Sequence, residues 1–365
     1  MKFKIAREAL QAGLQDVIHV VGSRSTLPIL SNVLIVASKG KVRMTTTDLD
    51  VGVSGEIIAD VEVEGQTTLP VKRLASIVSV LPASEVEIAV DSKHTATITS
   101  GPSFFKIIGL PESEFPPLPQ FEEAKEFKLP QESLKAALKK TSYAISTDET
   151  RYVLNGIFMS FHDQKLTMVA TDGRRLGLVE NDLEYPESQD GDIIIPTKAV
   201  SELQRQLKGE GDIILKLKDN QILFELENKL IVSKLIDGSY PNYKQVIPGE
   251  AQERLEIDRS VLLDTTKRVS LLASDKSNSI KIEFRKGEIA LSANTPDVGE
   301  ASESIPIDYT GNEFAIAFNP EFLMAPLRNI DSTTIHLDLI DEMSPGVIRT
   351  GNDFLYVLMP MRVTG

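Results

Sequence analysis

Three stretches of this chain open alike, and a repeated opening limits the possible folds more tightly than any composition does. They are Phe3-Lys4-Ile5-Ala6-Arg7-Glu8-Ala9-Leu10, Phe127-Lys128-Leu129-Pro130-Gln131-Glu132-Ser133-Leu134 and Leu255-Glu256-Ile257-Asp258-Arg259-Ser260-Val261-Leu262. Each reads as a short alternating strand running into a helical pattern. The second opens 124 residues after the first and the third 128 after the second. Thr47-Asp48 and Thr171-Asp172 keep the first of these offsets. A fixed period means one domain copied in tandem, so the repeat must be found before any element is assigned.

The second half of each copy repeats as well. Leu69-Pro70-Val71-Lys72-Arg73-Leu74 resembles Ile195-Pro196-Thr197-Lys198-Ala199-Val200, with Phe318-Asn319-Pro320-Glu321-Phe322-Leu323 a looser third version. Each places proline near a helix start, where its missing N–H is not needed. Each copy then closes on an apolar strand running into proline: Phe105 to Pro111, Ser233 to Pro241 and Phe354 to Pro360. Proline- and acid-rich joints lie at Phe115 to Glu126 and at Val246 to Arg254. The copies therefore span 1–120, 121–250 and 251–365, each near the usual size of one domain.

Short β-branched runs dominate: 33–37, 41–46, 85–90 and 95–99, then 213–218, 221–226, 279–284 and 288–293. Only two helices per copy are credible, so each copy reads as antiparallel sheets with two helices on one side, an α+β class. In the first helices Leu10, Leu14 and Val17, then Leu134 and Leu138, then Val261 and Leu262 form the apolar faces. The opposite faces carry Arg7, Gln11 and Gln15; Lys135, Lys139 and Lys140; and Arg259, Lys267 and Arg268. The second helices add Lys72 and Arg73, then Lys198, Arg205 and Lys208, then Arg328. Such faces are ordinarily just solvated. Here bases are the minority, 39 against 53 acids for a net charge of −14, yet they gather on the same elements of each copy.

Chemistry is hard to find. There is no cysteine, so disulfide and thiolate chemistry are excluded. The chain holds no Gly-rich phosphate loop, no Gly-x-Ser-x-Gly and no His-Glu-x-x-His. His19, His94, His162 and His336 are isolated from one another. Asp48 with Asp50, and Asp338 with Asp341 and Glu342, suit either turns or a metal; the metal alternative would make the chain a β-rich hydrolase or ligand-binding protein. The expectation is no catalytic residue, no cofactor and no metal. No run is long enough to span a membrane and the N-terminus lacks a signal-like apolar core, so the expected location is the cytoplasm, away from any membrane. Thr171 to Leu176, a turn with two arginines, and the apolar terminus from Tyr356 to Val363 look like binding surface.

Five further segments complete a pattern. They are Thr26-Leu27-Pro28-Ile29-Leu30, Arg151-Tyr152-Val153-Leu154-Asn155-Gly156, Val169 to Leu176, Ser233 to Pro241, and Met359-Pro360-Met361-Arg362. In that order, on a threefold repeat, they resemble the bacterial DNA polymerase III beta subunit family of replicative sliding clamps. The resemblance covers essentially the whole chain. It implies a non-enzymatic processivity factor: three clamp domains with helices inside and sheets outside, two chains closing head-to-tail into a ring around double-stranded DNA without reading its sequence. It implies a homodimer that tethers the replicative DNA polymerase, the clamp loader and other proteins bearing clamp-binding motifs.

By the same resemblance a peptide cleft between the second and third domains is lined by Leu154, Thr171, Gly173, Arg174, Arg175, Leu176, Pro241, Val246, Val357, Leu358, Met359, Pro360, Met361 and Arg362. DNA contacts fall to Arg24, Lys72, Tyr152 and Lys198. The dimer edge falls to Phe104, Phe105, Ile107, Leu271, Leu272, Glu300 and Glu303. The chain departs from the family at Val153, where a second aromatic or basic residue is common, and around Pro102 to Phe104, where basic residues are usual.

Overall fold

A computed structural model of the chain describes residues 1–22, 27–82, 85–273, 278–296 and 298–362. The first copy contains β1 (Lys2–Ala6), α1 (Arg7–Ile18), β2 (Asn32–Ser38), β3 (Lys41–Thr47), β4 (Val51–Ile58), β5 (Asp60–Val63), β6 (Gly65–Pro70), α2 (Val71–Val80), β7 (Glu85–Val90), β8 (Thr95–Ser100) and β9 (Ser103–Ile108). The second contains β10 (Lys125–Pro130), α3 (Gln131–Thr141), β11 (Gly156–His162), β12 (Lys165–Thr171), β13 (Arg175–Asp182), β14 (Gly191–Pro196), α4 (Thr197–Gln206), β15 (Asp212–Lys218), β16 (Gln221–Leu226) and β17 (Lys229–Lys234). The third contains β18 (Glu253–Asp258), α5 (Arg259–Val269), β19 (Ile280–Arg285), β20 (Glu288–Thr295), β21 (Gly299–Pro306), β22 (Phe314–Phe318), α6 (Pro320–Asn329), β23 (Thr334–Leu339), β24 (Gly346–Thr350) and β25 (Phe354–Leu358). Apart from the extra β5, the three orders are the same. Among the described residues each copy has its two α-helices, as the sequence predicts.

The repeated opening folds the same way each time. Its alternation buries Phe3 and Ile5, then Phe127 and Leu129, then Leu255 and Ile257. The strand that closes the middle copy is misplaced by the sequence reading. It is Lys229–Lys234, and Leu235 to Pro241 leaves the ladder as irregular chain.

Residue contacts group into two compact units that cut through the middle copy: Met1–Glu132 with Lys198–Leu235, and Ser133–Thr197 with Ile236–Gly365. The reason is sheet continuity. In the first unit one eight-stranded antiparallel sheet runs β10-β15-β16-β17-β4-β3-β2-β6, beside a five-stranded sheet β5-β1-β7-β8-β9. In the second, eight strands run β14-β11-β12-β13-β25-β24-β23-β18, beside a four-stranded sheet β21-β20-β19-β22.

One rule generates both long sheets. The fourth strand of a copy pairs with the last strand of the next: β4 with β17, Val51 opposite Ser233, and β13 with β25, Arg175 opposite Leu358. The third copy's fourth strand, β21, and the first copy's last strand, β9, stand at sheet edges.

In the first unit α1 packs on α2, β3 and β4, burying Leu10, Gly13, Leu14 and Val17. In the second, α5 packs on α6, β20 and β21, burying Leu262, Thr265, Thr266 and Val269. Val261, expected on that apolar face, is instead exposed. The face follows 262, 265, 266 and 269, the spacing of one helical stripe.

Several basic residues expected on solvated faces hold partners within the chain. Lys139 Nζ lies 2.7 Å from Asp331 and Lys140 Nζ 2.7 Å from Asp353, with Lys140 also over the Phe354 ring. Arg259 donates to the Ser332 and Leu327 carbonyls, and Arg268 pairs with Glu303. Arg7 is largely covered, at 20% side-chain exposure.

Candidate functional site

The Thr-Asp pairs that revealed the repeat build one turn twice. In the second copy Thr171 Oγ1 donates to the Arg175 carbonyl at 2.6 Å and accepts from Gly173 N at 3.1 Å. Asp172 Oδ1 accepts from Arg174 N and Arg175 N at 2.9 and 3.1 Å. In the first copy Thr47 Oγ1 donates to the Val51 carbonyl at 3.0 Å and accepts from Leu49 N at 3.1 Å. Asp48 Oδ1 accepts from Asp50 N and Val51 N at 3.1 and 2.8 Å. Both turns need a left-handed third residue, met by Gly173 at φ 83° and by Leu49 at φ 79°. A cation seats each carboxylate: Arg175 Nε at 3.1 Å from Asp172, and Lys198 on Asp48. Burial pushes the Asp48 carboxyl up, but Lys198 and the two backbone N–H groups outweigh it and hold it below the usual range.

The turn over Thr171 forms the lip of an apolar surface in the second unit. Met359 N donates to the Arg174 carbonyl at 3.0 Å, continuing the β13–β25 ladder past Leu358. Met361 N then donates to the Ala317 carbonyl at 2.7 Å, so the terminal run is anchored on β22. Beneath lie Leu176 and Val357, buried with Phe158, Val169, Ile194, Val347 and Leu355. Val153, Leu178, Ile236, Tyr240, Tyr243 and Ile247 cover them and are themselves partly buried. Tyr240 stacks on Phe158 with centroids 4.9 Å apart, and burial pushes its phenol well up.

Of the expected cleft residues, Leu154, Leu176, Val357 and Leu358 are buried. Gly173, Arg174, Pro241, Val246, Met359 and Arg362 are exposed, and Thr171, Arg175, Pro360 and Met361 are intermediate. Strand alternation turns Leu358 to the face opposite Val357. Arg175 is only 15% exposed, with its guanidinium 4.3 Å from the Phe322 ring centroid, so it braces the turn. Arg174 and Arg362 are the arginines open to solvent. Sequence reasoning missed Ile236, Tyr240, Tyr243 and Ile247; the run Tyr240-Pro241-Asn242-Tyr243, two aromatics framing a turn, was the available signal.

Two of the expected DNA residues meet in the first unit. Lys72 Nζ donates to the Gly22 carbonyl at 2.8 Å and Lys198 Nζ to the Val20 carbonyl at 2.9 Å. Lys72 and Arg73 also line an open hollow of about 520 Å³ with Val21, Gly22 and Ser31. Arg24 lies outside the described residues, as do Val363, Thr364 and Gly365. Tyr152, in the second unit, is 58% exposed.

At the expected dimer edges Phe104 and Leu271 are 63% and 79% exposed. Ile107 points inward, Phe105 and Leu272 are half-buried, Glu300 is exposed, and Glu303 is held by Arg268 and Thr265. Ile108, at the end of β9, and Val298, just before β21, are among the most exposed apolar side chains.

The metal alternative finds no support in these geometries. Asp338 is gripped by Arg254 at 2.6 and 2.7 Å and by Arg349 at 2.9 Å. Asp341 accepts from Met343 N and Ser344 N, a turn-forming role. Among the described residues no group of three or more His, Asp or Glu side chains could hold a metal ion. Among the same residues no helix is long and apolar enough to cross a membrane.

Three family models cover the chain in order: the DNA polymerase III beta subunit N-terminal domain over 1–119, its central domain over 128–242 and its C-terminal domain over 244–362. The chain belongs to the DNA polymerase III beta subunit family. It is 35% identical over 363 residues to the beta sliding clamp of Chlamydia muridarum, covering 100% of this chain and 99% of that one. It is 33% identical over 376 residues to the beta sliding clamp of Bacillus subtilis, covering 99% and 100%. The crystal structure of the Bacillus subtilis DNA polymerase sliding clamp matches with a TM-score of 0.95 at 32% identity, over 100% of both chains. That of a Bartonella birtlesii sliding clamp bound to griselimycin matches with a TM-score of 0.94 at 37% identity, again over 100% of both. The expected identity, the α+β clamp fold and the non-catalytic replication role all stand on these matches: the chain is a DNA sliding clamp, a processivity factor.

Proposed function

We propose that two copies of this chain close head-to-tail into a ring that encircles double-stranded DNA in the cytoplasm. The ring tethers the replicative polymerase, its loader and other proteins through the Thr171–Met361 cleft. The observation that carries this reading is the strand-pairing rule. Twice within the chain, a fourth strand takes the last strand of the following copy. β21 and β9 are the one fourth strand and the one last strand left over, and an edge strand with exposed apolar side chains is a template for pairing. Used twice about a two-fold axis, the same pairing closes the assembly. Matching the β16–β17 hairpin to β8–β9, and β3–β4 to β20–β21 from their bases, Lys41 with Ile58 and Glu288 with Pro306, puts Phe104 opposite Ser302 of the partner subunit.

The domains are the three copies 1–120, 121–250 and 251–365. Arg24, Lys72, Tyr152 and Lys198 touch phosphates by charge and hydrogen bonding, which gives affinity without sequence readout and allows sliding. In the cleft, the aliphatic floor and Met359 and Met361 receive apolar anchors of partner peptides, while Arg174 and Arg362 hold backbone or acidic groups. Sedimentation equilibrium tests the ring. A mass of twice the 40.2 kDa chain is expected, and a monomer at micromolar concentration would overturn it.

A further inference from the structure

The first unit contains a second copy of the cleft's backbone frame. Lys234 N donates to the Asp50 carbonyl at 2.9 Å, just as Met359 N donates to the Arg174 carbonyl at 3.0 Å, and the turns beside them share the four side-chain-to-backbone hydrogen bonds described above. Val232 stands where Val357 stands, opposite Gly52 instead of Leu176. The missing side chain matters: a Cβ on Gly52 would come within 2.5 Å of Leu118 Cδ2, so Leu118 from the proline-rich joint takes that space. What remains is a pocket of about 260 Å³, walled by Leu49, Val51, the 116–119 segment and Val232.

We propose that this pocket is a second docking site, for a short uncharged apolar peptide segment of a partner protein, with one Leu- or Phe-sized side chain as its anchor. The class of occupant rests on the cleft reading above; the site does not. Two observations favour it. Leu49 is 46% exposed at a position where its twin is glycine, in a backbone conformation that disfavours any side chain other than glycine's. A leucine held in that conformation, with nearly half its surface open at the pocket wall, points to use. The rim also differs in charge. Asp50 replaces Arg174 and pairs with Lys234 at 3.0 Å, leaving a neutral lip where the other cleft has an open arginine. The two sites therefore select differently: acidic flanks suit the Arg174 cleft, and neutral segments suit this one.

The test is a methyl NMR titration of the full-length protein with the capped dipeptide acetyl-Leu-Phe-amide, repeated on Leu49→Gly. That change relieves the left-handed backbone and so leaves folding safe. Saturable shifts are expected at Leu49, Leu118 and Val232, weakened at least fivefold at Leu118 and Val232 in the variant, while Leu176 and Val357 titrate as before. Shifts confined to Leu176 and Val357 would overturn the second site alone. Shifts confined to the Leu118 side would overturn the cleft reading alone, and silence at both would overturn both. Shifts that grow with protein concentration in the absence of peptide would assign the pocket to another copy of this chain and overturn the proposed occupant.

Discussion

Phe104→Ala on the β9 edge should loosen the dimer without touching the fold. Phe104 is 63% exposed, so its removal leaves the first copy's core as it is. A phenylalanine side chain offers roughly 200 Å². The exposed share is about 125 Å², worth about 3 kcal/mol if wholly covered at about 25 cal/mol per Å². Alanine keeps its Cβ, and association converts area incompletely, so about half of that is the reasonable expectation. A ring has two such edges, giving about 3 kcal/mol and a dissociation constant raised roughly 150-fold. Analytical ultracentrifugation across a dilution series reads this directly. Ile58→Ala, 83% exposed and on β4 rather than on either edge strand, is the control and should change nothing. An unchanged dimer constant for Phe104→Ala, or an equal change for Ile58→Ala, would refute the pairing of β9 with β21.

Met361→Ala with Arg362→Ala should weaken a partner peptide at least tenfold in fluorescence anisotropy while sedimentation still reports the dimer; unchanged affinity would move the cleft elsewhere. Asp172→Ala removes two backbone caps and the Arg175 partner, so thermal unfolding should show a loss of about 1–3 kcal/mol. A loss within error would mean that the turn is held by Thr171 alone. Asp338 gives the pH prediction. Burial pushes its carboxyl up, but Arg254 and Arg349 outweigh this and hold it below the usual range. Its stabilisation is therefore complete above the ordinary aspartate value of about 3.9 and is lost as pH falls through the lower folded value. Asp338→Asn should flatten that acid limb of denaturant-derived stability, and an unaltered limb would contradict it.

Much of the fold is written in local sequence. The alternation of Phe3-Lys4-Ile5 and its two later versions fixes which side chains go inward, because strand periodicity is local. The Thr47-Asp48 and Thr171-Asp172 turns are equally local, since the side chains bond to the next three or four residues. The pairing of β4 with β17 joins residues about 180 apart in sequence, and nothing in either strand specifies the other. For the same reason the end of β17 was misjudged: Leu235 and Ile236 are as apolar as the strand, but past Asn220 the next N–H, that of Ile236, goes to Ile194 on β14 instead of to β16. Lys139, Lys140, Arg259 and Arg268 looked like open charge because their partners come from distant segments, as does the Phe322 ring against Arg175. Arg174, Met359 and Met361 read as binding surface from their own residues, but Leu154 was legible only through resemblance, and an apolar terminus does not reveal which turn it will lie against.

The most direct test of encirclement is retention on DNA of different topology. With its loader, the protein placed on nicked circular duplex should stay bound through gel filtration at moderate salt, because the ring must break to leave. Cutting the circle once should release it within the time of the column, since weak phosphate contacts alone do not hold it there. Equal retention on circular and cut DNA would contradict a sliding ring.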